Sequence, residues 1–142
     1  MRRMWLMGSL TTPRDLDGMG FATMKRVARA AAWLLLAVIV ILSVVPAQDR
    51  PVTGLPHDME HFGIFVLTGV AFGLGYPPHF PAQAMGLVSF AGAVELAQLA
   101  VTGRHARLSD FIVNAISVLV GIGLSAAAVW GKESIRPHSA DQ

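Results

Sequence analysis

Long apolar stretches separated by short polar segments make up most of this chain. Within each stretch the residues are apolar on all sides, with isolated polar positions, and do not alternate between apolar and polar. Alternation would be typical of a membrane β-barrel, whereas an unbroken apolar run of roughly 20 residues matches a helix that crosses a membrane. Helices also satisfy their own backbone hydrogen bonds in lipid. The pattern therefore predicts an all-α protein with helices at about 30–47, 57–76, 81–101 and 110–130.

The second stretch is short, and the residues before it extend it. Its apolar part, HFGIFVLTGVAFGLGY, covers residues 61–76. Pro56 suits the first turn of a helix, where its missing N–H is no loss, and Asp58 and Glu60 would favour the positive N-terminal end. Counted from Pro56, this helix is long enough to cross a membrane, so we predict an integral membrane four-helix bundle.

The composition supports a membrane protein and excludes several kinds of site. Hydrophobic residues make up 54% of the 142 residues and charged residues only 14%, against about 25% charged in an ordinary soluble domain. So few charges leave too little polar surface for a soluble protein of this size; we expect membrane lipids as partners and no nucleic acid. The chain has no cysteine, which excludes disulfides, thiolate metal ligands and a thiol nucleophile.

The basic residues predict the orientation in the membrane. Of the 11 lysines and arginines, most precede the first stretch or follow the fourth. The remaining three are Arg50, between the first and second stretches, and Arg104 and Arg107, between the third and fourth. Four crossings put both termini on one side, and basic residues favour the cytoplasmic side. We therefore expect both termini to be cytoplasmic, and segments 48–60 and 102–110 to share the extracytoplasmic face.

The predicted organisation is one membrane domain between two polar ends: a basic leader at 1–29, the domain at 30–131 and a tail at 132–142. Two alternatives concern the first helix and its leader. MKRVARAAAWLLL, which begins at Met24, is typical of the start of a membrane protein, so residues 1–23 are either a disordered leader or untranslated. Residues 45–47 resemble a signal-peptidase site, although the apolar run there is long enough to remain as a spanning helix.

Polar residues inside the predicted helices fall on single faces. Glu95 and Gln98 are three residues apart on the third helix and share one side of it, and small residues up to Gly92 on that side would let a neighbouring helix approach closely. The fourth helix carries an equivalent stripe. We take six residues as candidates for an extracytoplasmic polar cluster that binds a ligand: His61, Glu95, Gln98, Arg104, Asp110 and Asn114.

Glu95 is the most informative of these residues because it is ionisable and lies inside a predicted span. It lies about 10 Å from the end of its helix, where a carboxylate costs about 3 kcal/mol on insertion scales unless it is paired or neutral. We expect Glu95 to face inward and to be either protonated or paired with Arg104 or His61. In the alternative, Glu95, Gln98 and Asn114 only join helices through hydrogen bonds.

The order of these motifs resembles the VanZ-like family of small bacterial membrane proteins. The family pattern has a His-Phe pair at the start of one helix, then E-x-x-Q, a P-G-R turn, and D-x-x-x-N on a glycine-rich helix. The family's Asp-Lys pair is His57-Asp58 here, and its turn proline is Thr102. Over about residues 30–127, the matching positions are His61-Phe62, Glu95 with Gln98, Gly103-Arg104, and Asp110 with Asn114.

The resemblance implies a multi-pass protein of the bacterial cytoplasmic membrane that acts in the cell envelope. The named member of the family is associated with antibiotic resistance, namely low-level resistance to teicoplanin-type glycopeptides, and has no established catalytic activity. Arg104 beside apolar helices suits an anionic headgroup above a lipid tail. The expected function is therefore non-enzymatic binding of an anionic lipid, a lipid-linked envelope precursor or a glycopeptide.

The alternative is an intramembrane enzyme that acts on a lipid-linked or phosphorylated substrate. His61, Glu60, Asp110 and Arg104 would offer a base, an acid and an anion stabiliser. An activated nucleophile is missing from this set, since there is no cysteine and Ser109 has no evident dedicated partner.

A zinc site and a transporter are further alternatives. HDMEH at residues 57–61 fits the H-x-x-E-H pattern of one class of zinc peptidase, and His105 or Asp110 would complete the ligands. Because helix electrostatics already explains the two acidic residues of this segment, we expect no metal and no cofactor. A transport pathway through so small a bundle would require a homo-oligomer, with Glu95 as a proton relay, and the sequence leaves the oligomeric state open.

Overall fold

The computed structural model describes residues 13–45, 54, 56–101 and 107–134. These residues form helices joined by turns, with no strand among them, which confirms the all-α prediction. The helices are α1 (Pro13–Val44), α2 (His57–Gly75), α3 (Phe80–Gln98) and α4 (Leu108–Ser134).

Three of the helices are long and apolar enough to cross a membrane, through the segments Gly20–Val44, Phe80–Gln98 and Leu108–Gly131. The apolar part of α2, Met59–Gly75, is shorter. Large apolar side chains also face outward, among them Leu34, Met85 and Leu124. A surface of this kind would be unfavourable in water but is matched by lipid, so the protein is a membrane protein.

The start of α1 differs from the sequence prediction. The apolar run led us to start this helix at residue 30, whereas α1 begins at Pro13. Proline is tolerated in the first turn of a helix, and no further proline follows before Pro46, so the helix continues without a break into the apolar segment. Hydropathy marks where α1 becomes apolar, not where it begins. Residues 1–12, and residues 46–47 at the end of the expected first helix, lie outside the described residues.

The order of the helices around the bundle is α1, α2, α4, α3. Helix α2 packs extensively on α4 and on α1, and α3 packs mainly on α4. The described parts of α1 and α4 do not touch, and α3 approaches α1 only along a limited stretch. The core between the helices is formed by Ile39, Phe65, Leu87, Ala91, Val94, Val118 and Ile122.

Helices α2 and α4 run parallel and are in backbone contact. A Cβ atom on Gly69 would lie 2.5 Å from the carbonyl oxygen of Val118, and a Cβ atom on Gly121 would overlap the carbonyl oxygen of Val66. Small residues permit this close approach between membrane helices. We expected such an approach at Gly92 on α3; there a Cβ would reach only ordinary contact distance, 3.5 Å, from the ring of Phe111.

The bundle has two chemically different ends. At the first, α2 begins, α3 ends and α4 begins; we call this the His61 end. At the other, α2 ends at Gly75 and a short turn through Tyr76 leads into α3. We call this the Tyr76 end, and here Arg29 Nε of α1 donates a hydrogen bond to the carbonyl oxygen of Gly75.

Candidate functional site: a buried polar cluster at the His61 end

Three helices contribute buried polar side chains at the His61 end. His61 lies near the start of α2, Glu95 and Gln98 lie in the last turn of α3, and Asn114 lies in α4. All four are at least nine-tenths buried; Glu95 is 6% exposed and Asn114 is fully buried. The spacing of the polar stripes therefore points each of these side chains toward the interior. We call these four residues the polar cluster.

His61 and Asn114 connect α2 to α4. The distance from His61 Nδ1 to Asn114 Oδ1 is 3.0 Å. An amide oxygen is only an acceptor, so in this arrangement Nδ1 carries the proton and donates it. The ring of His61 also stacks on that of Phe65, one turn along α2, with centroids 6.3 Å apart. The imidazole is thus held in one orientation, with its Nε2 edge directed away from Asn114.

Glu95 connects α3 to the start of α4. Its Oε1 accepts a hydrogen bond of 2.6 Å from the backbone N–H of Arg107, the residue before α4. We expected a side-chain partner, Arg104 or His61; the described partner is a backbone donor at a helix N-terminus, where negative charge is stabilised. Arg104 lies outside the described residues.

Asp110 lies at the edge of the polar cluster. It is half-buried in the first turn of α4, one turn before Asn114, and its Oδ1 accepts a hydrogen bond of 2.9 Å from Ser109 Oγ. An acidic residue in the first turn of a helix favours the positive end of the helix dipole. The hydroxyl of Ser109, for which the sequence offered no evident dedicated partner, therefore donates to the neighbouring carboxylate of Asp110.

Two other buried polar residues, one on α2 and one on α4, are satisfied by their own helices. Thr68 Oγ1 donates to the carbonyl oxygen of Ile64, at 2.7 Å, and Ser117 Oγ donates to that of Val113, at 2.6 Å. Membrane helices often satisfy hydroxyl groups in this way. Thr68 and Ser117 are buried but have no role that requires a ligand.

The polar cluster contains buried atoms that lack a hydrogen-bond partner within the described part of the chain: Glu95 Oε2, Gln98 Nε2 and Asn114 Nδ2. Leaving such an atom unpaired costs about 1–3 kcal/mol, and more for a charged group. One is a carboxylate oxygen that accepts hydrogen bonds, and two are amide groups that donate them. This set matches a molecule that carries both oxygen acceptors and a hydrogen-bond donor.

The start of α4, beside the polar cluster, carries charge of both signs. Arg107 is exposed and Asp110 half-exposed there. No group of three or more His, Asp or Glu residues that could hold a metal ion occurs among the described residues. The side chain of His57 and all of His105, which the zinc interpretation needs, lie outside them.

The resemblance to the VanZ-like family rests on the motifs that contain His61, Glu95, Gln98, Asp110 and Asn114, together with Arg104. The structure brings four of these residues together at one end of the bundle: His61, Glu95, Gln98 and Asn114. Asp110 lies one turn of α4 away from Asn114. No family model, no curated protein and no solved structure matches this chain.

Proposed function

We propose that this chain is a VanZ-like, non-enzymatic protein of the bacterial cell envelope whose polar cluster binds the headgroup of an anionic lipid or a lipid-linked envelope precursor. The observation that carries the proposal is the set of buried atoms on Glu95, Gln98 and Asn114 that have no partner among the described residues. Helices that only needed to adhere to each other would pair these groups with one another, because each unpaired group costs free energy.

The chemistry of the unpaired atoms favours a phosphorylated headgroup that also carries hydroxyl groups. The amides of Gln98 and Asn114 would donate to phosphate oxygens, and the exposed Arg107 directly before α4 adds positive charge. Glu95 Oε2 would accept from a hydroxyl group, which an anion alone does not offer. A glycerol phosphate or a sugar phosphate on a lipid satisfies both requirements.

In this proposal the His61 end faces the outside of the cytoplasmic membrane. Four crossings with both termini cytoplasmic would put the His61 end at the extracytoplasmic face, because most lysines and arginines flank the bundle on the opposite side. There the polar cluster would meet the outer leaflet, where envelope precursors and glycopeptides act. An effect on glycopeptide susceptibility would follow if the protein sequesters or presents such a precursor.

Native mass spectrometry of the purified protein tests the proposal. The probes are phosphatidylglycerol, whose headgroup carries a phosphate and hydroxyl groups, and undecaprenyl phosphate, a precursor carrier whose headgroup is a phosphate alone. Glu95→Gln keeps the acceptor for the Arg107 N–H but replaces the second oxygen with a donor, so we expect it to lose bound phosphatidylglycerol while the helices remain packed. Arg104→Ala tests the family motif in the same way.

Two results would contradict the proposal. If neither probe binds the wild-type protein above phosphatidylcholine, headgroup binding is excluded. If Arg104→Ala and Glu95→Gln leave both protein abundance and sensitivity to envelope-targeting drugs unchanged, the cellular role is excluded as well.

One observation favours the alternative of an intramembrane enzyme. His61 is oriented by Asn114 through Nδ1, which is how a general base is commonly positioned by a neighbouring side chain. Incubation of the purified protein with undecaprenyl phosphates would reveal this activity as turnover that His61→Gln abolishes. The absence of turnover under any added metal would leave the binding proposal in place.

A further inference from the structure

A groove opens on the side of the bundle at the Tyr76 end, away from the polar cluster. It lies between α1 and α3, where these helices are apart, and α2 forms its floor. Its volume is about 550 Å³, which is in the range of small-molecule sites. Six of its lining residues define it: Trp33, Leu36, Phe72, Tyr76, Gly86 and Phe90.

The walls of this groove are apolar and aromatic. Trp33 packs edge-on against Phe72, with ring centroids 5.7 Å apart, and Phe72 stacks on Tyr76 at 5.8 Å. On α3 the wall contains Gly86, where an added Cβ would have no other atom within 4 Å. The groove is therefore open space bounded by rings, which suits a flexible hydrocarbon chain.

The mouth of the groove is held rigid by polar contacts of Tyr76. Trp33 Nε1 donates a hydrogen bond of 2.9 Å to the Tyr76 hydroxyl, and the guanidinium of Arg29 lies 4.8 Å from the centre of the Tyr76 ring. Arg29 also donates from Nε to Gly75, so its position is fixed relative to α2. A cation is thus held at the membrane-interface end of an apolar groove.

The charge around this mouth has one sign. Lys25 precedes Arg29 by one turn of α1, and His79 lines the groove from the turn before α3. The positive N-terminal end of α3 lies at the same place. No aspartate or glutamate occurs in residues 20–48 or 61–94, the segments that form the groove. Neither wall therefore carries a carboxylate that would repel a negatively charged group, and the one buried acceptor without a donor among the described lining residues is Gln83 Oε1.

We propose that this groove binds one anionic phospholipid, with an acyl chain along Trp33 and Phe90 and the phosphate at Arg29. Charge complementarity identifies the occupant: an apolar groove alone would accept any lipid, whereas the fixed guanidinium and the nearby Lys25 select a negative headgroup. This site is separate from the polar cluster and does not depend on the function proposed for it.

Fluorescence quenching by brominated lipids tests this site. The variant Trp5→Phe, Trp130→Phe retains Trp33 as the single tryptophan; Trp33 lines the groove and is 60% exposed, so the comparison between the two brominated lipids, and not quenching as such, reports on the groove. It is reconstituted into vesicles of phosphatidylcholine that contain increasing brominated phosphatidylglycerol or brominated phosphatidylcholine. We expect half-maximal quenching at about fivefold lower content of the anionic lipid, the factor that corresponds to the ~1 kcal/mol of one basic side chain at an anionic surface.

Two pairs of variants separate binding from packing. Gly86→Leu fills the groove and should reduce quenching by both lipids, whereas Gly123→Leu, an exposed glycine of α4 outside the groove with equally free space, should not. Arg29→Gln should abolish the preference for the anionic lipid and Arg29→Lys should keep it. Both variants lack the Arg29 Nε–H that donates to Gly75. If Arg29 acted only through that hydrogen bond, both variants would lose the preference for the anionic lipid.

Several results would overturn this inference. Equal quenching by the two lipids means that the groove does not select charge. No quenching by either brominated lipid means that another part of the protein, or a second copy, covers the groove. Loss of the preference in Arg29→Lys as well as Arg29→Gln means that Arg29 acts through packing and not through its charge.

Discussion

The imidazole of His61 and the side-chain amide of Asn114 are joined by a hydrogen bond of 3.0 Å between Nδ1 and Oδ1, although one residue lies on α2 and the other on α4. The register that brings them together is set about two turns away, where Gly69 and Gly121 let the parallel helices touch. The geometry of the polar cluster therefore depends on backbone packing in the middle of the bundle.

Replacing Asn114 should destabilise the bundle. Asn114→Leu removes the acceptor of the His61 Nδ1–H, and the loss of one partner of a buried hydrogen bond costs about 1–3 kcal/mol. Reversible unfolding in mixed detergent micelles measures this loss. Ser117→Ala is the matched control, because its hydroxyl serves only the carbonyl of its own helix; an equal loss in both variants would show that the link between α2 and α4 contributes little.

The contact between α2 and α4 should tolerate no side chain. Gly121→Ala would drive a methyl group into the backbone of α2 at Val66, and overpacking of this kind costs about 1–3 kcal/mol. Gly123→Ala, two residues further on, meets no atom within 4 Å and should leave stability unchanged or slightly higher, since alanine favours a helix. Unfolding in the same micelles compares the two. Equal stability of both variants would contradict the close approach of the helices.

The orientation can be tested cleanly because the chain contains no cysteine. Met59→Cys reports on the His61 end and His79→Cys on the Tyr76 end, and both residues are exposed. In intact cells whose outer layer is permeable to a charged maleimide, we expect Met59→Cys to react and His79→Cys to react only after lysis. The reverse pattern would put the polar cluster on the cytoplasmic face.

The bounds of a helix could be predicted well where the apolar run begins and ends at the same residues as the helix. The expected second helix, 57–76, matches α2 at His57–Gly75, because apolar length and the proline before it mark both ends. The start of α1 was missed because the first part of this helix is polar, and a polar helix has no signature in a hydropathy pattern. The three-residue spacing of Glu95 and Gln98 likewise indicated that they face the same way.

The partners of the polar residues could not be predicted in the same way. Glu95 is bound by the backbone N–H of Arg107, and a backbone donor leaves no trace in the residue types. The importance of Gly69 for packing is visible only in the structure, where it contacts Gly121 on a helix that is distant in sequence. The spacing within one helix is visible in a sequence, whereas the register between two helices depends on three-dimensional packing.

The decisive measurement for headgroup binding by the polar cluster is the affinity of Gln98→Leu for undecaprenyl phosphate, whose phosphate would accept a hydrogen bond from the Gln98 amide. Leucine preserves the volume of Gln98 approximately but removes the buried Nε2 donor. A hydrogen bond to a charged group contributes about 1.5–3 kcal/mol, so we predict binding at least about tenfold weaker than in the wild type, with Ser117→Ala unchanged. Equal affinity of Gln98→Leu and the wild type would mean that the buried amide has no part in binding, and that the polar cluster does not bind the headgroup.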